Sequence, residues 1–181
     1  MKLRWQNKDI AKIHINDKKL YPFIFHTGSL TRYIQQQCNG NFNIEIKSES
    51  WQFPMSDEAQ LIKTGNREHT FIRESWLKCD DKTLVYARTI IPRKTLTGKY
   101  KKLTTLGNKP LGEILFTDKT SYRSGMRYAK VSKDCALYSQ VFNTNNVNSI
   151  LWARQSLFFI KNKPLLIIEV FLPEIKKCIR S

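Results

Sequence analysis

Residues 162–173 read NKPLLIIEVFLP, a run in which one carboxylate, Glu169, interrupts otherwise apolar residues. Successive side chains of a strand point to opposite faces, and here both parities are apolar, so the run reads as a strand buried on both faces. An ionised carboxylate is rarely buried in such a place without a partner, because losing its hydration costs several kcal/mol, roughly, even after relaxation. Glu169 is therefore the first candidate for a functional residue.

The other periodicities place this strand in a sheet. HTGSLTRYIQQQCNG (26–40) predicts a short helix capped by Ser29, with Leu30, Tyr33, Ile34 and Gln37 at helical spacing and Gly40 ending it. FNIEIKSES (42–50) alternates as a half-solvated strand. HTFIRESWLKC (69–79) and TLVYARTIIP (83–92) flank Asp80, Asp81 and Lys82, a hairpin signal with a tight polar turn. In LGNKPLGEILF (106–116) Pro110 suits a first helical turn, and Leu111, Ile114 and Leu115 share a face. MRYAKVS (126–132) and WARQSLFFIKN (152–162) read as strands, and Asn162, Lys163 and Pro164 as the turn before the last one. Between Ser132 and Trp152 only NTNN is assigned, as loop. The sum is an α+β fold, a single antiparallel sheet of about six strands with short flanking helices.

A chain of 181 residues that is 41% hydrophobic can bury a proper core, and no repeat or linker divides it, so residues 1–181 are expected to form one domain. Lys2 and Arg4 are followed at once by polar residues rather than a signal-peptide core, and no apolar run is long enough to span a bilayer. A cytoplasmic location is expected. Cys38, Cys79, Cys135 and Cys178 form no CxxC pair, which argues against zinc and leads us to expect reduced, mostly buried thiols. Lys and Arg outnumber Asp and Glu by 31 to 15, a balance that attracts polyanions. The basic residues are scattered, however; the densest run, RKTLTGKYKK (93–102), accompanies no nucleic-acid-binding motif and reads as a solvated surface.

No nucleotide, metalloprotease or nucleophile-elbow motif is present, and His14, His26 and His69 lack metal-ligand spacing. The remaining candidates are charges among apolar residues. Arg73 shares a strand parity with Phe71, Leu77 and Cys79, and Arg88 lies between Ala87 and Thr89. Two readings compete for Arg73 and Glu169. One is an ion pair that only fixes the fold; the other is a closed apolar pocket with a guanidinium at one end for a carboxylate and a carboxyl group at the other for proton or hydroxyl chemistry.

RTIIPRKTLTG (88–98), LGNKPLGEILF (106–116) and WARQSLFFIKNKPLLIIEVFLP (152–173), with GSLTRYIQQQ (28–37) and FIRESWL (71–77) in the same order, resemble the chorismate pyruvate-lyase family over about residues 26–175. The resemblance implies conversion of chorismate to 4-hydroxybenzoate and pyruvate, the first step toward ubiquinone. It implies that Arg73 binds the ring carboxylate, that Glu169 meets the hydroxyl opposite as the catalytic residue, and that Leu30 and Leu111 line the pocket. Leu30 stands where the family usually has Met, a change close in volume. The first 20 residues match poorly, and 132–151 is longer than in compact members.

Aromatisation drives the implied reaction, so the expected cofactor is none and the expected metal is none; the protein holds the dianion, excludes water and assists a proton transfer, with Glu169 as general base or acid. The expected partners are chorismate and 4-hydroxybenzoate, with no specific nucleic acid and a monomeric chain. For the enolpyruvyl carboxylate, Arg88 or a basic loop residue is the expected partner. Two rival classes are a ligand-sensing domain of the same fold, for which the 25 residues ahead of the first matched helix are too few to supply a winged helix, and a basic nucleic-acid-binding protein.

Overall fold

Among the described residues six strands pair antiparallel in one sheet: β1 (Phe42–Gln52), β2 (Thr70–Cys79), β3 (Lys82–Pro92), β4 (Ser121–Val131), β5 (Leu151–Ile160) and β6 (Lys163–Phe171). Their spatial order in the computed structural model, which describes residues 3–65, 67–142 and 150–177, is β1-β2-β3-β6-β5-β4. The expected α+β architecture is thus observed, and the apolar run around Glu169 becomes a central strand with neighbours on both sides. Among the described residues six short α-helices flank the sheet: α1 (Lys8–His14), α2 (Tyr21–Ile24), α3 (Leu30–Gln37), α4 (Ser56–Leu61), α5 (Leu111–Thr117) and α6 (Ala136–Val141).

The helices divide between the faces. Phe23 and Ile24 of α2 and Leu30 and Ile34 of α3 pack on Leu77, Val85 and Phe171. Beside them on the same face, Leu111 and Leu115 of α5 pack on Phe71, Phe158 and Leu165. Leu137, Tyr138 and Val141 of α6 cover the other face over Tyr86, Ile90, Leu166 and Ile168. Both parities of β6 are consequently out of water, which is why its sequence is apolar throughout. Residues left without a role in the sequence reading also belong to the core: Gln6 exchanges backbone hydrogen bonds with Tyr128 at 2.8 and 2.9 Å, extending the β4 edge, and Ala11, Ile15 and Leu20 are buried.

Turn chemistry sets the register. β2 and β3 join through Asp80 and Asp81, with Asp80 at φ 52°, a left-handed conformation that Asp tolerates better than most residues. β5 and β6 join through Lys161 and Asn162, both at positive φ, one residue ahead of the expected turn. Pro164 already lies in β6 opposite Phe159, where the β3 ladder has ended at Leu166, so no strand partner lacks its missing N–H. On that side Thr95 Oγ1 donates to the Pro164 carbonyl at 2.7 Å. Residues 143–146, the NTNN loop of the sequence reading, lie outside the described residues. In the basic run every Lys and Arg is exposed, while Thr95, Leu96 and Tyr100 are buried. Among the described residues no helix is long and apolar enough to cross a membrane.

The cysteines correct the sequence reading. Cys38 and Cys79, expected to be reduced, form a disulfide with Cα atoms 5.8 Å apart. Spacing along the chain hides this, because Phe42 pairs with Cys79 across β1 and β2 and so draws the end of α3 to the end of β2. Cys135 is a buried free thiol. Closing a loop with a sequence separation of 41 residues stabilises chiefly by restricting the unfolded chain, typically by about 2–4 kcal/mol. Reduction with dithiothreitol, or Cys79→Ser, is expected to lower the denaturation midpoint accordingly. Intact mass with and without thiol alkylation checks that the bond forms.

Candidate active site

Antiparallel register places charges on defined faces. Ser75, Ala87, Glu169, Arg154 and Tyr128 are successive cross-strand partners from β2 to β4 and form one row on one face. The next row on that face is Arg73, Thr89, Ile167, Ser156 and Met126. Arg73 and Glu169 are therefore two strands and one row apart, about 12 Å between Cα atoms at ordinary strand spacing. All four predicted site residues, Leu30, Arg73, Leu111 and Glu169, line one cavity between this face and helices α3 and α5.

The helix termini form its roof. Ser29 caps α3 by accepting from the Arg32 N–H, which puts Leu30 in the first turn over the sheet, and Pro110 precedes Leu111 at the start of α5. Gly112 lets the two helix starts approach, since a Cβ there would meet Ser29 Oγ at 2.8 Å. Leu30 and Leu111 are both buried.

Arg73 and Glu169 do not pair with each other. Arg73 Nε donates to Glu49 Oε1 at 3.0 Å, and Nη2 to the carbonyls of Gly107 at 2.8 Å and Lys109 at 3.3 Å. Gly107 adopts φ +57°, the turn conformation for which glycine is suited, at the point where the chain leads into α5. Nη1 has no partner among the described residues. Burial pushes the Arg73 guanidinium down from its ordinary value against the opposing pull of Glu49.

Glu169 accepts through Oε2 from Arg154 Nε at 2.7 Å, and its Oε1 has no partner among the described residues. The pair is nearly dry, with 1% of the Arg154 side chain and 12% of the Glu169 side chain exposed. Arg154 Nη1 reaches the carbonyls of Phe23, Ile24 and His26, the last at 2.7 Å. Burial first, then Arg154 and Arg123, push the His26 imidazole below its ordinary value, against a smaller opposing pull from Glu169.

Arg154 and Arg123 line the cavity and were absent from the sequence reading. Arg154 carried the same signal as Glu169, a charge within an apolar strand. Arg123 precedes the predicted strand start at 126, beyond a register shift between Arg123 and Gly125, so alternation did not reach it. Arg88, one of the two alternatives expected for the enolpyruvyl carboxylate beside a basic loop residue, is corrected. It belongs to the opposite face, buried with Glu58 Oε1 at 2.8 Å from Nε and Glu74 Oε1 at 2.9 Å from Nη1. Its sequence neighbours Ala87 and Thr89 face the cavity instead, as alternation requires. No group of three or more His, Cys, Asp or Glu among the described residues is arranged to hold a metal ion.

The sequence profile of the family described as chorismate lyase matches residues 2–179. The chain belongs to the chorismate lyase family. Membership makes it a lyase, and the match begins well ahead of residue 26, where the resemblance read from the residues begins. A protein of Methylococcus capsulatus named "probable chorismate pyruvate-lyase" is 35% identical over 153 residues, 84% of this chain and 94% of its own. One of the same name from Methylobacillus flagellatus is 32% identical over 178 residues, 98% of this chain and 97% of its own. Among solved structures, the PhnF C-terminal domain superposes with a TM-score of 0.60 at 12% identity, covering 77% of this chain and 88% of that one. The effector domain of PhnF from Mycobacterium smegmatis gives 0.55 at 12% identity, covering 82% and 91%. These two show the chorismate lyase-like fold alone.

The Arg154–Glu169 pair yields a stability prediction. Arg154→Met strands a buried carboxylate and is expected to cost about 3–5 kcal/mol, whereas Arg154→Met with Glu169→Leu recovers the part of that loss due to the unpaired carboxylate. Urea denaturation of both variants beside the parent measures the difference.

Proposed function

We propose that this chain converts chorismate to 4-hydroxybenzoate and pyruvate, supplying the aromatic ring precursor of ubiquinone. The observation that carries the reading is the placement of Arg73 and Glu169 on one sheet face, across a cavity walled by Leu30 and Leu111. Each keeps one polar atom without a partner among the described residues, a guanidinium Nη1 and a carboxylate Oε1. A ring with a carboxylate at one end and a hydroxyl at the other is matched by that pair.

In this mechanism Arg73 takes the ring carboxylate, its charge already balanced from behind by Glu49 and its orientation fixed by two loop carbonyls. Glu169 accepts the ring hydroxyl on Oε1 while Arg154 holds Oε2, so Arg154 is a positioning residue. The ether bond at the adjacent ring carbon breaks, the proton on the hydroxyl-bearing carbon leaves, and the ring becomes aromatic. The enolpyruvyl fragment departs with the ether oxygen and gains a proton at its methylene to become pyruvate. Glu169 is the general base or acid at the hydroxyl-bearing carbon. Leu30 and Leu111 exclude water and fix the ring plane.

A non-catalytic ligand-sensing domain is the second reading, favoured by the fold shared with the PhnF effector domains. Purified protein given chorismate without metal or nucleotide separates the two: the enzyme releases 4-hydroxybenzoate and pyruvate in equal amounts, and a sensor binds without turnover. Turnover is expected to survive EDTA; activity abolished by chelation and restored by a metal ion refutes the mechanism. Arg73→Ala is expected to weaken both chorismate and 4-hydroxybenzoate by removing a charge-assisted contact of roughly 1.5–3 kcal/mol. Glu169→Gln, which keeps shape and most hydrogen-bonding capacity but cannot move a proton, is expected to lower turnover more than affinity, with kcat down by about 10²–10⁴. Titration calorimetry and steady-state kinetics on the same preparations check both.

A further inference from the structure

We propose that Arg123 receives the second carboxylate of the substrate, the one on the enolpyruvyl group, and so makes the site selective for a dianion. The proposal rests on the reading above.

Three guanidinium groups line the cavity, and two already have a carboxylate: Arg73 has Glu49 and Arg154 has Glu169. Arg123 has none within ion-pair distance among the described residues. Its Nη1 donates to the Thr27 carbonyl at 2.6 Å and touches Met126 Sδ at 3.4 Å, and its Nη2 lies 3.5 Å from the Gly28 carbonyl. Its Nε is buried with no hydrogen-bond partner among the described residues. Neutral carbonyls orient a guanidinium without cancelling its charge, and a buried donor without a partner is unfavourable unless something else is to occupy it. Burial first, then the neighbouring Arg154, disfavour the charged Arg123 by more than Glu169 and Tyr128 favour it, a condition that a bound anion would relieve.

Position agrees with charge. Arg123 lies opposite Phe158, one row beyond Met126 and Ser156, on the same sheet face as Arg73 and Glu169. Its guanidinium packs against the rings of Phe158 at 4.7 Å and Phe116 at 5.2 Å, so its direction is set by packing. With the ring carboxylate at β2 and the hydroxyl at β6, the ether branches from the carbon next to the hydroxyl. The side of the ring that faces β5 and β4 is the side with the uncommitted cation. Arg88 cannot compete from the opposite face.

The test uses Arg123→Met, which keeps length and packing, and Arg123→Lys, which keeps charge. Chorismate, with two carboxylates, and 4-hydroxybenzoate, with one, are compared on each protein by kinetics and by titration. Arg123→Met is expected to lower kcat/KM for chorismate by roughly 10- to 100-fold while 4-hydroxybenzoate affinity changes less than about threefold, and Arg123→Lys restores part of the loss. The melting temperature of Arg123→Met is expected not to fall. Equal weakening of both ligands, or of neither, overturns the proposal. If the parent binds chorismate without turnover, the function above fails while the binding comparison still decides Arg123; a parent that binds neither ligand refutes both.

Discussion

The pair formed by Glu169 and Arg154 holds the site and much of the fold in one place. The two residues are direct cross-strand partners on β6 and β5, in the middle of the sheet, so their separation is set by strand register rather than by long flexible side chains. Arg154 then spends Nη1 on the carbonyls of Phe23, Ile24 and His26, which lie between α2 and the cap of α3. One guanidinium thus ties the catalytic candidate to the segment that carries Leu30. An apolar isostere pair at these two positions would satisfy the sheet about as well, but it would leave three backbone carbonyls without their donor and the cavity without its carboxylate.

The two faces of the sheet treat buried charge differently. On the face away from the cavity, Arg88 meets Glu58 and Glu74, and Tyr86 donates to Glu74 as well. Burial pushes the Glu74 carboxyl up, yet hydrogen bonds from Tyr86 and Ser48 together with Lys47 and Arg88 outweigh it and leave the group below the usual range. The charges there close on one another, which is the pattern of a network that fixes α4 against the strands. On the cavity face, among the described residues, Arg73 and Glu169 keep an unpartnered atom each and Arg123 has no ion-pair partner. Completeness of pairing, rather than burial, separates the structural charges from those available to a ligand.

What the sequence disclosed follows from what local pattern can carry. Alternation found the strands and the β2–β3 turn, and charge within apolar runs found Arg73 and Glu169. The same rule applied to WARQSLFF would have found Arg154, and strict alternation around Ala87 and Thr89 would have sent Arg88 to the other face. Leu30 and Leu111 came only through family resemblance, because an apolar residue at a helix start looks the same whether it faces a core or a cavity. The Cys38–Cys79 bond and Arg123 depend on which strand end meets which, and on a register shift in β4. Neither is a local property of the chain, so neither was legible before the pairing was known.

The distribution of contacts also bears on rate. On the proposed reading, Arg73 meets a carboxylate that substrate and product both carry, and Glu169 meets a hydroxyl that both carry. Interactions of equal strength before and after the reaction give affinity without acceleration. Acceleration must come from groups that act on what changes: the proton at the hydroxyl-bearing carbon, within the province of Glu169, and the fragment that departs with its own carboxylate. A cation held beside that fragment by carbonyls and two phenylalanine rings, and ion-paired with no acidic side chain among the described residues, is placed to stabilise negative charge as the ether bond breaks. It loses its ligand once pyruvate leaves, so its contribution is confined to the part of the reaction that needs it.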